Sequence, residues 1–421
     1  MRQPQHYFME KHEQHGAALL LMLLFFVIAF SAYLIFSLNT TDPEVQRQQK
    51  TMETLANAKE ALLSWSVLQG DIGTEANHRP GSLPCPDTNF FGTANSGYAS
   101  GSCSASGGTS IGRFPWRSLG IEELRDANGE ALWYAVSDNF RKPNLNQAPV
   151  NSDTQGSLDL YAPDGTTPLT PPGEKLVAVI FSAGAPLPGQ NRNSAPNEVA
   201  SYLDRGNGQN NTLAGGPFIA GPSRDTQGNT IVNDLVISIS ARELISAVEK
   251  RALKEAQNAL TQFATANGDK YPNPARFDGT DCDTPIGNIK TPNVCPSDSS
   301  TCVGRLPEDS GDATKLGNYV APWFLENGWG RVITYAVNGG NVVDNSDPSC
   351  LLPLKVDGQP RSYVIIAPGT PLNGKIRPSA ILSNYLEDPD KEGPDNSDAW
   401  NPDMNFSTPS NNSNDQLRSV P

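Results

Sequence analysis

Histidine and positive charge are scarce in this chain. It has 4 His in 421 residues; His6, His12 and His15 precede Gly16, which leaves His78 alone in everything that follows. That argues against a polyhistidine metal site. Lys and Arg number 31 against 45 Asp and Glu, a net charge of -14, so the field of the whole molecule repels polyanions and nucleic acid is not an expected partner. Charged residues are 18 % of the chain, below the usual level of about 25 %, while Gly 37 and Pro 35 are plentiful. This composition does not fit a coiled coil or a helix bundle. Nucleophile elbow, Walker loop and HExxH are all missing, and Gly184-Ala185-Pro186-Leu187-Pro188-Gly189 reads as a turn after a strand, not a dinucleotide fingerprint. Asp126, Asp138 and Asp204 are available as acid/base carboxylates, but nothing in the spacing pairs them. A non-enzymatic protein is the expectation.

What the chain does have is one long apolar run. Ala17 to Thr41 carries no charge, and Ala17 to Leu38 suffices for one helical bilayer crossing at about 20 residues. Arg2 and Lys11 precede it, and Asp42 and Glu44 come before the next cation, Arg47, which leaves the N-terminus inside and the remainder exported. The run is longer than the apolar region of a secretory signal, about 7 to 15 residues, and ends in Phe36-Ser37-Leu38-Asn39-Thr40 without a small-residue cleavage site. Past Pro43, the residues Val45, Met52, Leu55, Ala56, Leu62, Leu63 and Val67 fall largely on one helical face, with Gly70 as a stop. Pro43 either kinks a helix continuous with the apolar run or begins a new one.

A polar leader ending in Gly16, an abutting apolar run and then an amphipathic helix together resemble the N-terminus of type IV pilins and type II secretion pseudopilins. The resemblance covers about the first 70 residues. It implies that a prepilin peptidase cuts between Gly16 and Ala17 and that the new N-terminus is methylated. It also implies other minor pilins or pseudopilins as partners, and a bacterial inner-membrane protein with a cytoplasmic N-terminus and a periplasmic C-terminal region. Leu21 departs from the pattern, because most members have Glu at the fifth residue after the cut, where it is thought to neutralise a neighbour's N-terminal ammonium in an apolar fibre core. A subunit with Leu21 resembles the minor pseudopilins placed at a fibre tip. The alternative is a permanently anchored periplasmic binding protein that holds carbohydrate through Trp116, Trp133, Tyr134, Trp323, Trp329 and Tyr335, although such aromatics are more often core.

A second helix is announced by the capping-box pair Ser240 and Glu243 and by Leu244, Val248, Ala252, Ala256, Leu260 and Phe263, running to Gly268. It repeats the stem: Ala58, Ala61, Leu62, Trp65, Gly70 and Asp71 match Ala256, Ala259, Leu260, Phe263, Gly268 and Asp269 at one offset. Leu83-Pro84-Cys85-Pro86 then matches Tyr271-Pro272-Asn273-Pro274, Gly112-Arg113-Phe114-Pro115 matches Gly304-Arg305-Leu306-Pro307, and Leu132 to Val136 matches Ile333 to Val337. Gly184-Ala185-Pro186-Leu187 matches Gly369-Thr370-Pro371-Leu372, and Tyr202-Leu203-Asp204 matches Tyr385-Leu386-Glu387. These blocks keep their order, which reads as an internal duplication. Strands are expected at Ala131 to Ser137, Leu176 to Phe181, Leu235 to Ile239, Val332 to Val337 and Tyr363 to Ala367; Arg141 to Pro172, Gly206 to Gly228 and Asp388 to Pro421 are expected to be loops. The expected fold is therefore α+β: leader 1–16, membrane helix 17–41, stem helix and first pilin-like unit 42–240, second pilin-like unit 241–421, each unit a helix packed on an antiparallel sheet.

Two side-chain groups carry chemistry. No cofactor is expected unless Glu387, Asp388, Asp390, Glu392, Asp395 and Asp398, more commonly a solvated acidic loop, supply oxygen ligands to calcium; their spacing is not that of an EF-hand, and the resemblance adds that several pseudopilins hold calcium in such loops. The 6 cysteines divide as Cys85 and Cys103 in the first unit against Cys282, Cys295, Cys302 and Cys350 in the second, and export favours disulfides over a zinc site that would have no CxxC. Cys85 pairs with Cys103. The repeat maps Cys103 onto Cys295 and Cys85 near Cys282, so Cys282 is expected with Cys295 and Cys302 with Cys350. Non-reducing peptide mapping checks this: a Cys282-to-Cys302 or Cys282-to-Cys350 peptide would break the repeat-based assignment, and a Cys85 peptide joined to the second unit would undo the division itself.

Overall fold

The computed structural model describes residues 43–69, 79–101, 103, 109–141, 149–277, 295, 297–299, 301–344, 353–372, 375–386, 404–408 and 415–421. Contacts divide the chain into two units, 1–50 and 51–421. The first contributes the opening turns of helix α1 (Pro43–Leu68), with Glu44 in its first turn and Arg47 paired to Glu44 at 3.8 Å. Among the described residues no helix is long and apolar enough to cross a membrane; the run from Ala17 to Leu38 lies outside them, as does the junction before Pro43.

The second unit is mixed α+β and is built mostly of sheet. β1 (Thr109–Arg113), β2 (Trp133–Ser137), β3 (Leu176–Ser182) and β4 (Leu235–Ser240) form an antiparallel sheet in sequence order. Helix α2 (Ala241–Ala266) follows β4 without a loop. Beyond it, β5 (Val303–Arg305), β6 (Thr334–Val337), β7 (Tyr363–Ala367) and β8 (Gln416–Val420) form a second antiparallel sheet, again in sequence order. β8 corrects the expectation that everything past Asp388 is loop. Its five residues are all half-buried at a sheet edge, and a short edge strand of mixed polarity gives little period-2 signal.

Local chemistry explains the helices. Ser240 caps α2 by accepting a hydrogen bond from the Glu243 amide at 3.1 Å, and Gly268 takes a left-handed φ of 65° just past its end. The buried stripe of α1 is Thr51, Leu55, Ala58, Leu62 and Ser66, turned from the face that its apolar residues suggest: Val45 and Met52 are exposed. The small residues are inside because α1 lies close on β4 and α2, where Lys59 donates to the Ser238 carbonyl at 2.9 Å and pairs with Glu243 at 2.7 Å.

The cores follow from these placements. Leu55, Ala58 and Leu62 of α1 pack with Tyr134, Val136, Ala178 and Ile180 and with Ala241, Leu244 and Ile245 at the start of α2. The opposite face of the same sheet is covered by Leu158 and by two short strands, Leu160–Tyr161 and Phe218–Ile219, paired in parallel within segments expected to be loops; Trp133 and Phe181 meet Leu158, Leu160 and Phe218 there. β3 is therefore buried along its whole length and reads as a continuous apolar run instead of an alternating one. From Val248 onward α2 enters another core with Trp329, Tyr335, Tyr363 and Ile365.

Corresponding details recur in the two sheets. Gly112 pairs with Tyr134 and Tyr134 with Ile180; Gly304 pairs with Tyr335 and Tyr335 with Ile365. The Tyr134 hydroxyl donates to the Pro84 carbonyl at 3.2 Å, and that of Tyr335 to the Pro272 carbonyl at 3.0 Å. A Cβ on Gly112 would sit 2.7 Å from the Asp87 carbonyl oxygen, and one on Gly304 1.9 Å from that of Ala275, so each Gly-Arg motif needs its glycine where the chain crosses the sheet edge. Arg192 donates to the carbonyls of Gly184 (2.8 Å), Ala183 (3.2 Å) and Ser201 (3.2 Å) beneath the Tyr202 ring; Arg377 donates to those of Gly369 (2.8 Å), Pro368 (3.4 Å) and Asn384 beneath Tyr385.

Cys85 and Cys103 are disulfide-bonded with Cα atoms 5.6 Å apart. Cys295 and Cys302 are also in disulfides, while Cys282 and Cys350 lie outside the described residues. Because Phe263 is fully buried near the end of α2, Phe263→Ala should lower stability by about 3 to 5 kcal/mol. Urea unfolding of the full chain in detergent checks this; a loss under about 1 kcal/mol would mean that α2 is not needed by its core.

Candidate functional site

Three features compete for a function: the residues expected from sequence, a groove lined in part by Asp204, and the pair of carboxyls that Asp204 forms with Asp234. Gly16, Ala17, Leu21 and the carboxylates Glu387, Asp388, Asp390, Glu392, Asp395 and Asp398 all lie outside the described residues. Among the described residues no cluster of three His, Cys, Asp or Glu side chains could hold a metal.

Of the six aromatics considered for a sugar groove, Trp133, Tyr134, Trp323, Trp329 and Tyr335 are buried, and only Trp116 is partly exposed. The five buried rings are core. The three available carboxylates separate in role. Asp126 is buried and accepts from the amides of Asn128 (2.8 Å), Glu130 (2.9 Å) and Gly184 (3.0 Å) and from the Ser182 hydroxyl (2.7 Å), which holds a turn against the end of β3. Asp138 pairs with Arg141. Asp204 alone lines a groove, of about 620 Å³, together with Leu187, Gln190, Thr212, Asn229 and Ile231.

Asp204 follows a short 3-10 turn (Val199–Ser201) and faces Asp234, the residue before β4. The hydrogen bonds of the pair can be counted oxygen by oxygen. Asp204 accepts from Gln190 Nε2 at 2.8 Å and from the Asn233 amide at 2.7 Å. One oxygen of Asp234 accepts from the Asp204 amide and from Asn211 Nδ2, both at 2.8 Å. Its other oxygen, Oδ1, is buried with no hydrogen-bond partner, and the two carboxyls interact electrostatically. Two anions cannot share such a place at low cost, and a proton on Asp234 relieves both the repulsion and the burial of charge. Burial raises Asp204 to about 6, and burial together with the Asp204 charge pushes Asp234 well above the ordinary carboxylate range. The pair titrates as one unit.

Sequence reasoning named Asp204 but missed Asp234, whose only signal is Asn233-Asp234 ahead of an apolar strand. Asn211 completes the unit by pinning the Ile219 backbone through both its amide atoms, at 2.8 and 2.9 Å. The arrangement ties three chain segments together and offers one carboxyl edge, only 5 % exposed, to the groove. Comparison with family models, curated proteins and solved structures returns no match.

Both folded values lie above the unfolded value of 3.8, so the stabilising contribution of this pair is fully present below about pH 4 and is lost as pH rises through about 6 and beyond. Asp234→Asn places a permanent N–H donor where the proton sits. The variant should melt at a higher temperature than wild type at pH 8 and should flatten the fall in melting temperature between pH 4 and 8. Equal slopes for the two proteins would mean that the pair holds no proton.

Proposed function

We propose that this chain is a non-enzymatic minor pilin or pseudopilin, anchored in the bacterial inner membrane by residues 17–41 and exposing its remainder to the periplasm, at or near the tip of a type IV pilus or a type II secretion pseudopilus. The observation that carries the reading is the order of parts: a polar leader closed by Gly16, the uncharged run to Thr41, and then an amphipathic helix, α1, packed against an antiparallel sheet. Leu21 supports the tip position, since an apolar side chain there cannot neutralise a neighbouring subunit's ammonium. Prepilin peptidase and other minor subunits are the partners that follow.

The exported part is proposed to be a duplicated pilin-like head. Its support is the six collinear sequence blocks together with the repeated Gly-Tyr-Ile register and the repeated Arg192 and Arg377 clamps. An anchored periplasmic binding protein is the second reading. Burial of five of the six aromatics removes the support it drew from them, and the groove beside Asp204 is what still favours it.

Co-expression with a prepilin peptidase separates the two. The wild-type chain should shorten to begin at Ala17 by N-terminal sequencing of membrane-extracted protein, and Gly16→Val should block the cut. An unshortened wild-type chain would sink the fibre reading.

A further inference from the structure

The disulfide-based loop between Cys85 and Cys103 carries three large rings in water: Phe90 is 73 % exposed, Tyr98 48 % and Phe91 44 %. Scattered surface apolar residues are ordinary, but three aromatics on one short loop are not. Nor does the loop hold them by default. Its base is tied by the buried carboxylate of Asp87, which accepts from the Asn89 amide at 2.8 Å, from Asn89 Nδ2 at 2.9 Å and from the Gly97 amide at 2.7 Å, and which pairs with Arg113 at 3.5 Å. Asn89 Nδ2 also donates to the carbonyls of Asn95 and Tyr98, both at 3.0 Å. The conformational entropy of this loop is spent on folding, so a partner that covers the rings does not have to order them.

Two cations sit among these aromatics: the Arg113 guanidinium lies 5.3 Å from the Phe91 ring centroid, and Arg117 is flanked by Tyr98 and Trp116. Arg117 is exposed, with its guanidinium 4.8 Å from the Trp116 ring centroid and 5.6 Å from that of Tyr98, and its Nη1 donates to the Ala94 carbonyl at 2.7 Å. That bond and the flanking rings orient the guanidinium fork while leaving further N–H groups directed to solvent, a fixed receptor for a carboxylate. A cation set among aromatics on a molecule of net charge -14 is a local reversal of sign. The cleft between Phe91 and Trp116, floored by Phe114, Leu124 and Leu132, encloses about 10 Å³, far below the roughly 300 Å³ or more of small-molecule sites. Aromatic and arginine side chains of this kind are what dominate protein–protein contacts.

We propose that Phe90, Phe91, Tyr98, Trp116 and Arg117 form a docking surface for a protein segment that presents a carboxylate beside a large apolar side chain. The apolar group covers Phe90 and Phe91, and the carboxylate takes the free edge of Arg117. The assignment does not depend on whether the chain enters a fibre.

The test uses the full chain in detergent against immobilised synthetic peptides in two sets: one with Asp or Glu next to Leu, Ile or Phe, and the same peptides with Lys in place of the acids. Wild type should retain the acidic set over the Lys set. Phe90→Ser combined with Phe91→Ser should weaken that binding by about tenfold or more. Arg117→Gln should reduce the preference, and Arg117→Glu should reverse it toward the Lys set. Exposure of these side chains means that all the variants should keep the wild-type circular dichroism. The proposal is overturned if wild type retains neither set, if Arg117→Glu leaves the preference unchanged, or if the same rings instead bind a peptidoglycan digest or phosphatidylglycerol vesicles.

Discussion

One helix serves two cores, and the arrangement of residues 51–421 depends on it. The first turns of α2 put Ala241, Leu244 and Ile245 against α1 and the first sheet, while Val248 through Phe263 fill the second core. At about 1.5 Å per residue the 26 residues of α2 run near 39 Å, long enough to reach from one to the other. No loop intervenes between β4 and α2, so the direction of a sheet strand sets the direction of the helix that founds the next core. Neither core is closed without α2.

Polar contacts then seal the join between the two halves of this unit. Asn327 accepts from the Val150 amide at 3.1 Å and donates to the Pro80 carbonyl at 2.9 Å, while Asn151 donates to the Asn327 carbonyl at 2.8 Å. Glu249, inside α2 and fully buried, accepts from Ser152 at 2.6 Å and from Gln416 at 3.0 Å, and burial lifts its carboxyl to about 7. Asp153, raised to about 6 by burial, accepts from the Tyr385 hydroxyl at 3.1 Å. Such groups specify one arrangement because any other leaves buried polar atoms unmet. Their raised values follow the direction of the Asp204 and Asp234 pair, so their contribution too declines as pH rises through 6 to 7.

The paired arginines join two of the six repeated blocks. Gly184-Ala185 and Tyr202 are distant in the chain, but Arg192 satisfies carbonyls on both; Arg377 does the same for Gly369 and Tyr385. Short motifs separated by variable loops are thus parts of a single clamp. The loops between them vary in length at small cost, because closure entropy grows only slowly with length.

The sequence alone determined the elements whose signals are local: the Ser240 cap, the period of α2, the apolar strands β2, β3, β4, β6 and β7, and the pairing of Cys85 with Cys103. A cap is a contact over three residues, and a buried strand is a run of apolar ones, so both are visible in a short window. Asp204 was legible only as one acid among many. Its partner Asp234 is 30 positions on, and the two carboxyls are pushed upward because folding buries them beside each other. The inward turn of Thr51 and Ser66 on α1, the joining of β8 to the second sheet and the holding of Phe90, Phe91 and Tyr98 in water were likewise decided by the tertiary structure. Each of these depends on which distant segment covers a residue, and apolar character records a tendency to be covered without naming what does the covering.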